Sequence, residues 1–457
     1  MSVSVFTERP STPASRRWLA ALLVLALALR LIYALSQDQT APYTQGGGDT
    51  SWYLTTGHEL VHGQDRAPLS TGPVYLLLIG GWQAVFGRTA AAIVAIRLTQ
   101  VGLATLTVYF GARLAQALAR DRRTGLLAAA VLAISPVFVL ETAQILTETL
   151  YVFLIAGGLW LYTGGTPDSE QRAGQRLAWA AAVGIVFGAA ALTRAVVLLF
   201  PLGLAFHLGL RHGWRRGVLL AAALLIAFAA TVSTWTIYNL AKWDRLVIGA
   251  DGFASFLYTG ARGWEGPQAL DQALNEDVPE LSEAEATSPN RADAFLTAAR
   301  RTITRDPLGY VQRRVSELAN AYLQPHGTVL FGGASLKDSA RDWITGDRSL
   351  DGLIDLTVHD AFWPKLALYI FHFAGLILGA LGMWLTRANW RVALPLLGFI
   401  LYTTLVHLVL LATPRYIFPV ELFWWVFAAA ALIAIRDAWK ARRTPAQVVV
   451  RSTRIAE

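Results

Sequence analysis

The chain has 457 residues, carries a formal charge of +8 and contains no cysteine. Disulfides, thiolate metal sites and cysteine nucleophiles are therefore excluded. Only 15% of its residues are charged and 54% are hydrophobic, against a charged share of about a quarter in soluble domains. A polytopic, all-α membrane protein is expected.

In chain order, Ser11 to Arg17 is polar and basic, and Trp18 to Leu35 is a continuous apolar run. No small-residue cleavage site follows, and further spans do, so the run reads as an uncleaved first helix. Next comes a loop over 36–89. It holds Gly46-Gly47-Gly48-Asp49 and then a periodic segment with Trp52, Tyr53, Leu60 and Val61. Asp49 is placed there as a helix N-cap would be. Gly72 to Phe86 is apolar but too short to cross easily, which predicts a re-entrant or interfacial helix.

Further spans are expected near 90–117, 124–140, 144–162, 175–192, 195–210, 217–238, 365–385, 392–411 and 416–435. With the first helix this makes about ten crossings. The expected organisation is a short N-terminus (1–17), a core (18–238), a loop region (239–364), final spans (365–435) and a basic tail (436–457). Within the loop region, 292–322 has helical spacing broken at Asp306-Pro307.

Loop charges set the orientation. Arg120, Arg122 and Arg123, then Arg172 with Arg176, then Arg211, Arg215 and Arg216, then Arg387 with Arg391 fall on one side. The tail with Arg436, Lys440, Arg442 and Arg443 joins them there. The positive-inside rule makes that side cytoplasmic and accounts for the basic balance without nucleic acid. The loops 36–89 and 239–364 then face outward.

Charged residues within the apolar spans gather near that outer face: Arg30, Arg97, Glu141, Glu148, Arg194 and Arg415, with Asp49 just beyond the first helix. Taken singly, each has an ordinary explanation, such as an arginine snorkelling to headgroups or an acid capping a helix. Together they suggest a site that binds an anion and handles a proton. Arginine recognises phosphate through a planar fork of donors, and a carboxylate beside a hydroxyl can act as general base. Acid plus phosphate also leaves room for a divalent cation held by oxygen ligands. Such a site suits group transfer from a phosphate-bearing lipid. It equally suits a transporter of an anionic lipid, which needs the arginines but no poised carboxylate.

The order of short motifs resembles the GT-C fold glycosyltransferases of the bacterial protein-mannosyltransferase and aminoarabinose-transferase type. The series runs Leu29-Arg30-Leu31, Asp49 to Gly63, Gly72-Pro73-Val74-Tyr75, Phe86-Gly87, Arg97-Leu98, then Tyr109 and Arg113. It continues through Ser135-Pro136, Thr147-Glu148-Thr149-Leu150, Leu192-Thr193-Arg194, Trp235 with Asn239, Leu257-Tyr258-Thr259-Gly260 and Pro414-Arg415-Tyr416 with Pro419.

The resemblance implies a multi-pass enzyme of the bacterial inner membrane with its site on the extracytoplasmic face. It would transfer a sugar from a polyprenyl-phosphate carrier to an extracytoplasmic acceptor, inverting the anomeric centre. Asp49 would be the first-loop acid and base, and Glu148 the second-loop carboxylate supporting acceptor or metal. Arg97, Arg194 and Arg415 would meet the carrier phosphate, with Arg30 and Tyr53 as further substrate contacts. The sequence departs from the pattern at Thr50, where eukaryotic-type members carry a second acid. It departs again at Ser70-Thr71-Gly72-Pro73, where aminoarabinose transferases carry a charged pair before two prolines. A lipid-linked glycan transporter or flippase, or a non-catalytic envelope assembly protein on the same fold, remain as alternatives.

Overall fold

The computed structural model describes residues 13–45, 47–65, 69–164, 173–263, 291–331, 335–346, 348–358 and 361–443. Gly46, Arg172, the first twelve positions and the tail beyond 443 lie outside the described residues. No strand occurs among the described residues.

The chain opens with α1 (Pro13–Ser36), the single turn α2 (Ala41–Thr44), α3 (Gly48–Val61) and α4 (Pro73–Phe86). Next come α5 (Ala90–Ala119), α6 (Arg122–Ile134), α7 (Pro136–Glu141), α8 (Glu148–Gly164) and α9 (Ala173–Ala191). The helices α10 (Phe200–His212) and α11 (Trp214–Trp243) follow. The loop region supplies α12 (Phe253–Arg262), α13 (Arg291–Arg305), α14 (Pro307–Leu323), α15 (Leu336–Thr345) and α16 (Leu350–Val358). The chain returns to the bundle with α17 (Phe362–Thr386), α18 (Trp390–Val409) and α19 (Pro414–Arg443).

Seven stretches among the described residues are long and apolar enough to cross a membrane, and one, Phe362–Val409, contains both α17 and α18. The helices α6 and α8, of 13 and 17 residues, are shorter. Length and composition therefore do not establish the expected count of about ten crossings. The run expected over 124–140 is broken: α6 stops at Ile134 and Pro136 opens α7. Proline has no N–H for an interior helix bond and disfavours helical backbone in the residue before it. The break at Asp306-Pro307 has the same chemistry. Asp306 accepts from Gly309 N at 2.9 Å and caps α14, with Pro307 as its first residue.

The helix α19 is the centre of the bundle. Its apolar stretch is 89% buried, against 17% for the peripheral α1. A helix that is apolar all round belongs in an interior, and Val420 to Ala431 is such a run apart from Glu421. It packs on α17 through Gly375, Gly379 and Gly382, spaced on one face. A Cβ at Gly382 would lie 1.9 Å from the Phe427 carbonyl oxygen, and one at Gly379 2.9 Å from that of Trp424. Small residues let helix backbones approach within a membrane, and these two leave no room for anything larger.

The polarity of the bundle follows from its ends. Arg415 opens α19, whereas Arg436, Lys440, Arg442 and Arg443 lie in or near its last turns. Thirty residues of helix separate these ends by about 45 Å. At the far end Arg123, at the start of α6, donates to Asp437 Oδ1 at 2.9 Å and so ties that turn to the end of α19.

Candidate active site

Four side chains meet at the near end of the bundle. Glu148 is the first residue of α8, Arg194 follows α9, Arg415 is the second residue of α19, and Asp49 lies in the first turn of α3. Arg194 Nη1 donates to Glu148 Oε1 at 2.6 Å. Arg415 donates from Nε to the same oxygen and from Nη2 to Glu148 Oε2 at 3.3 Å, while its Nη1 donates to Asp49 Oδ2. One guanidinium thus bridges two carboxylates. The Glu148 side chain is fully buried, those of Arg194 and Arg415 are 13% and 22% exposed, and that of Asp49 is 59% exposed. The network runs from a sealed acid to an open one.

Asp49 does not cap α3. Gly47 is the N-cap residue, Gly48 takes φ +57°, and Asp49 turns its carboxylate outward to Arg415. A glycine at 48 allows that left-handed step at no steric cost.

The turn that carries Arg194 is held by Gly72 and the first turn of α4. Val74 N donates to Leu192 O at 3.1 Å, and a Cβ at Gly72 would lie 2.0 Å from that oxygen. Two of the short sequence motifs, Gly72-Pro73-Val74 and Leu192-Thr193-Arg194, are therefore one packed unit. The Arg194 guanidinium sits over the rings of Tyr416 and Tyr151, at 5.0 and 5.7 Å from their centroids. His407 stacks on Tyr416, with centroids 5.3 Å apart and planes 9° from parallel. Aromatic faces favour a cation and fix its plane.

Tyr53 is buried beside this group and packs edge-on against Tyr75, whose hydroxyl donates to Gln100 Oε1 at 2.7 Å. Burial raises the Tyr53 phenol above its ordinary pKa. The Glu148 carboxylate acts in the same direction, against the pull of Arg415 and Arg194.

Arg30 and Arg97 are not in this group. Arg30 is 1% exposed and donates to the carbonyls of Ala26, Leu132 and Ala133, closing the C-terminal end of α6 where Pro136 stops the helix. Arg97 donates to Ala143 O at 3.1 Å, Asp38 O at 3.0 Å and Gln39 Oε1 at 2.7 Å, joining the loop after α1 to the turn before α8. Both guanidiniums serve main-chain oxygens, and Arg97 serves the Gln39 side-chain amide as well.

Glu141 is buried and bonded to His326 Nε2 at 2.8 Å, and its Oε1 has no partner among the described residues. Burial pushes its pKa up, and His326 opposes the shift. A small pocket lies beside it, lined by Arg30, Thr107, Glu141 and Thr149 but not by Asp49.

Sequence reasoning assigned no role to Tyr151, Tyr416 or His407. Tyr151 stands one helical turn after Glu148, the spacing that puts two side chains on one face. Tyr416 directly follows Arg415. Nothing local marks His407.

A divalent cation does not fit the carboxylates as they stand. Arg415 occupies the place between Asp49 and Glu148 where a bridging ion would sit. Among the described residues, no group of three or more His, Asp or Glu side chains could hold a metal.

Residues 82–244 match the family model described as dolichyl-phosphate-mannose-protein mannosyltransferase. The match takes in Arg97, Glu148 and Arg194 and ends short of Asp49 and Arg415. A search of curated proteins gives no match. Among solved structures, the chain is similar to the oligosaccharyltransferase of Archaeoglobus fulgidus tethered to an acceptor peptide containing the NVT sequon. The TM-score is 0.55 at 16% identity, covering 93% of this chain and 50% of that one. The same protein in complex with zinc and sulfate gives 0.53 at 15% identity, covering 92% and 50%. ArnT from Cupriavidus metallidurans bound to undecaprenyl phosphate gives a TM-score of 0.38 at 14% identity, covering 93% of this chain and 79% of that one. The chain spans about half the length of the oligosaccharyltransferase it matches. Residues 82–244 thus match the dolichyl-phosphate-mannose-protein mannosyltransferase family model, in a chain whose fold is similar to that of the Archaeoglobus fulgidus oligosaccharyltransferase.

Proposed function

We propose that the chain is a membrane glycosyltransferase that moves a sugar from a polyprenyl-phosphate carrier to an acceptor hydroxyl by a single inverting displacement. The observation that carries this reading is the bridge from Arg415 to Asp49 and Glu148. It puts an open carboxylate, a sealed carboxylate and two arginines at one end of a membrane bundle. The matched family domain supports the reaction class.

In this mechanism Arg415 and Arg194 take the carrier phosphate, with Glu148 holding both guanidiniums in position. Asp49 accepts the proton of the acceptor hydroxyl as that oxygen forms its bond to the anomeric carbon. The bond from that carbon to the phosphate oxygen breaks on the opposite side, and its electron pair leaves on the polyprenyl phosphate. Arginine suits this leaving group because its charge does not depend on pH and its fork matches phosphate oxygens. No step runs through a metal.

On this reading the far end, with its arginine-rich turns, faces the cytoplasm and the site faces the extracytoplasmic side of a bacterial inner membrane, an orientation that the positive-inside rule supports. On this reading 36–89 is the catalytic outer loop and 239–364 an outer region over it. The test is whether the purified protein consumes a polyprenyl-phosphate sugar in lipid nanodiscs, followed by mass spectrometry of the lipid. Release of polyprenyl phosphate that depends on Asp49 supports the reading. Movement of the intact lipid-linked sugar between leaflets, unaffected by Asp49→Asn, would replace the transferase with a transporter.

A further inference from the structure

The last turn of α3 and its C-cap residue carry His58-Glu59-Leu60-Val61-His62, an H-E-x-x-H sequence that the site at Asp49 does not use. Residues four apart share one helix face, and two histidines so placed form a well-known metal-ligating pair. Here the two rings meet, with centroids 4.1 Å apart and planes tilted by 40°.

His62 Nδ1 lies 2.8 Å from His58 O. A carbonyl oxygen only accepts, so the proton sits on Nδ1 and the Nε2 lone pair is left available. This is the outer-shell arrangement that orients metal-bound histidines elsewhere. His58 Nδ1 is buried with no hydrogen-bond partner, so nothing on the protein holds that nitrogen.

The chain has eight histidines and no cysteine, so imidazoles are its best donors for borderline metals. His207, His326, His372 and His407 are buried, each with a ring nitrogen against Tyr162, Glu141, the Tyr322 carbonyl or the Leu411 carbonyl. His62 is exposed and His58 half-buried.

We infer that His58 and His62 form a two-imidazole site for a divalent transition-metal ion of the zinc and copper class. No third protein ligand stands with them among the described residues, so the remaining coordination positions belong to solvent. Glu59 and Arg88 are the charged groups acting on His58; the first favours a cation there and the second opposes it. The pair lies about 14–20 Å along α3 from Asp49, and a bound ion would staple the last turn of the helix that carries the proposed base.

The test uses the full chain in detergent with any affinity tag removed, and Cu²⁺ as the probe because copper binds such sites tightest of the first-row divalent ions. The wild type is expected to take one equivalent whose electron paramagnetic resonance spectrum shows two nitrogen ligands, displaceable by excess Zn²⁺. His62→Gln should leave one nitrogen and weaken binding by about 10–100-fold, with an unchanged melting temperature. His58→Gln should do the same, and if that half-buried change disturbs folding, the exposed His62→Gln decides alone. No stoichiometric copper on the wild type overturns the inference. So does an unchanged spectrum and affinity in His62→Gln.

Discussion

Arg415 donates to the Asp49 carboxylate across 366 positions of sequence, so the start of α19 reaches the start of α3. The same side chain holds Glu148 with its other nitrogens. An exposed acid and a buried acid are in this way made parts of one unit.

If Asp49 is the base, Asp49→Asn keeps the size and loses the proton acceptor. Transfer should fall by about 10²–10⁴-fold, the usual contribution of a positioned base, with normal membrane yield. The measurement is the initial rate of sugar transfer at saturating donor. A variant within tenfold of wild type would remove Asp49 from the role.

Glu148→Gln leaves Arg194 and Arg415 facing each other with one carboxylate fewer. Breaking a buried ion pair by removing one partner costs up to about 3–5 kcal/mol. A lower melting temperature in detergent is expected together with lost transfer. A double-mutant cycle with Arg194→Gln should show strong coupling, and strict additivity would mean the contact carries no weight.

The four arginines divide into two pairs. Arg30→Met and Arg97→Met strip donors from buried carbonyls, at about 1–3 kcal/mol for each acceptor left unsatisfied. Both should lower stability and leave the donor KM within about twofold of wild type, since neither touches the network. Arg415→Lys should do the reverse, because an ammonium cannot reproduce the bridging fork. Its expected signature is a folded protein with a raised donor KM and reduced kcat. A large KM effect at Arg30 with unchanged stability would bring that residue back to the substrate.

Gly382→Ala tests the packing of α17 on the central helix. Its methyl would sit 1.9 Å from the Phe427 carbonyl oxygen, and that backbone cannot yield without moving α19. Overpacking of this kind costs about 1–3 kcal/mol or more, and α19 also positions Arg415. Thermal stability and transfer should fall together. Gly203→Ala, where nothing lies within 4 Å of the added carbon, is the control and should change neither.

Part of the charge cluster was legible locally. Glu148, Arg194 and Arg415 stand beside Thr147, Thr193 and Pro414 at helix ends, and the expected spans with their loop charges put those ends on one side. Asp49 was legible as an acid after glycines, but a capping role is what its local sequence suggests. The pairing with Arg415 that takes it out of that role comes from a residue on another helix. Arg30 and Arg97 look identical to Arg194 and Arg415 in sequence, since all four are lone cations near the ends of apolar runs. What separates them is which oxygens lie within reach: main-chain carbonyls and one amide for the first pair, carboxylates for the second. His407 behind Tyr416, and Glu141 against His326, had no local signal.

The sequence by itself determined the membrane class, the helical periodicity, the break point at Pro307 and the gathering of basic residues at one set of helix ends. Each of these depends on interactions within a turn or two of helix or on transfer between water and lipid. The tertiary structure decided which charges become one network and which are spent on backbone, and that α17 and α19 touch through glycine. These outcomes depend on distances of a few ångströms between segments tens to hundreds of residues apart, which no local pattern encodes.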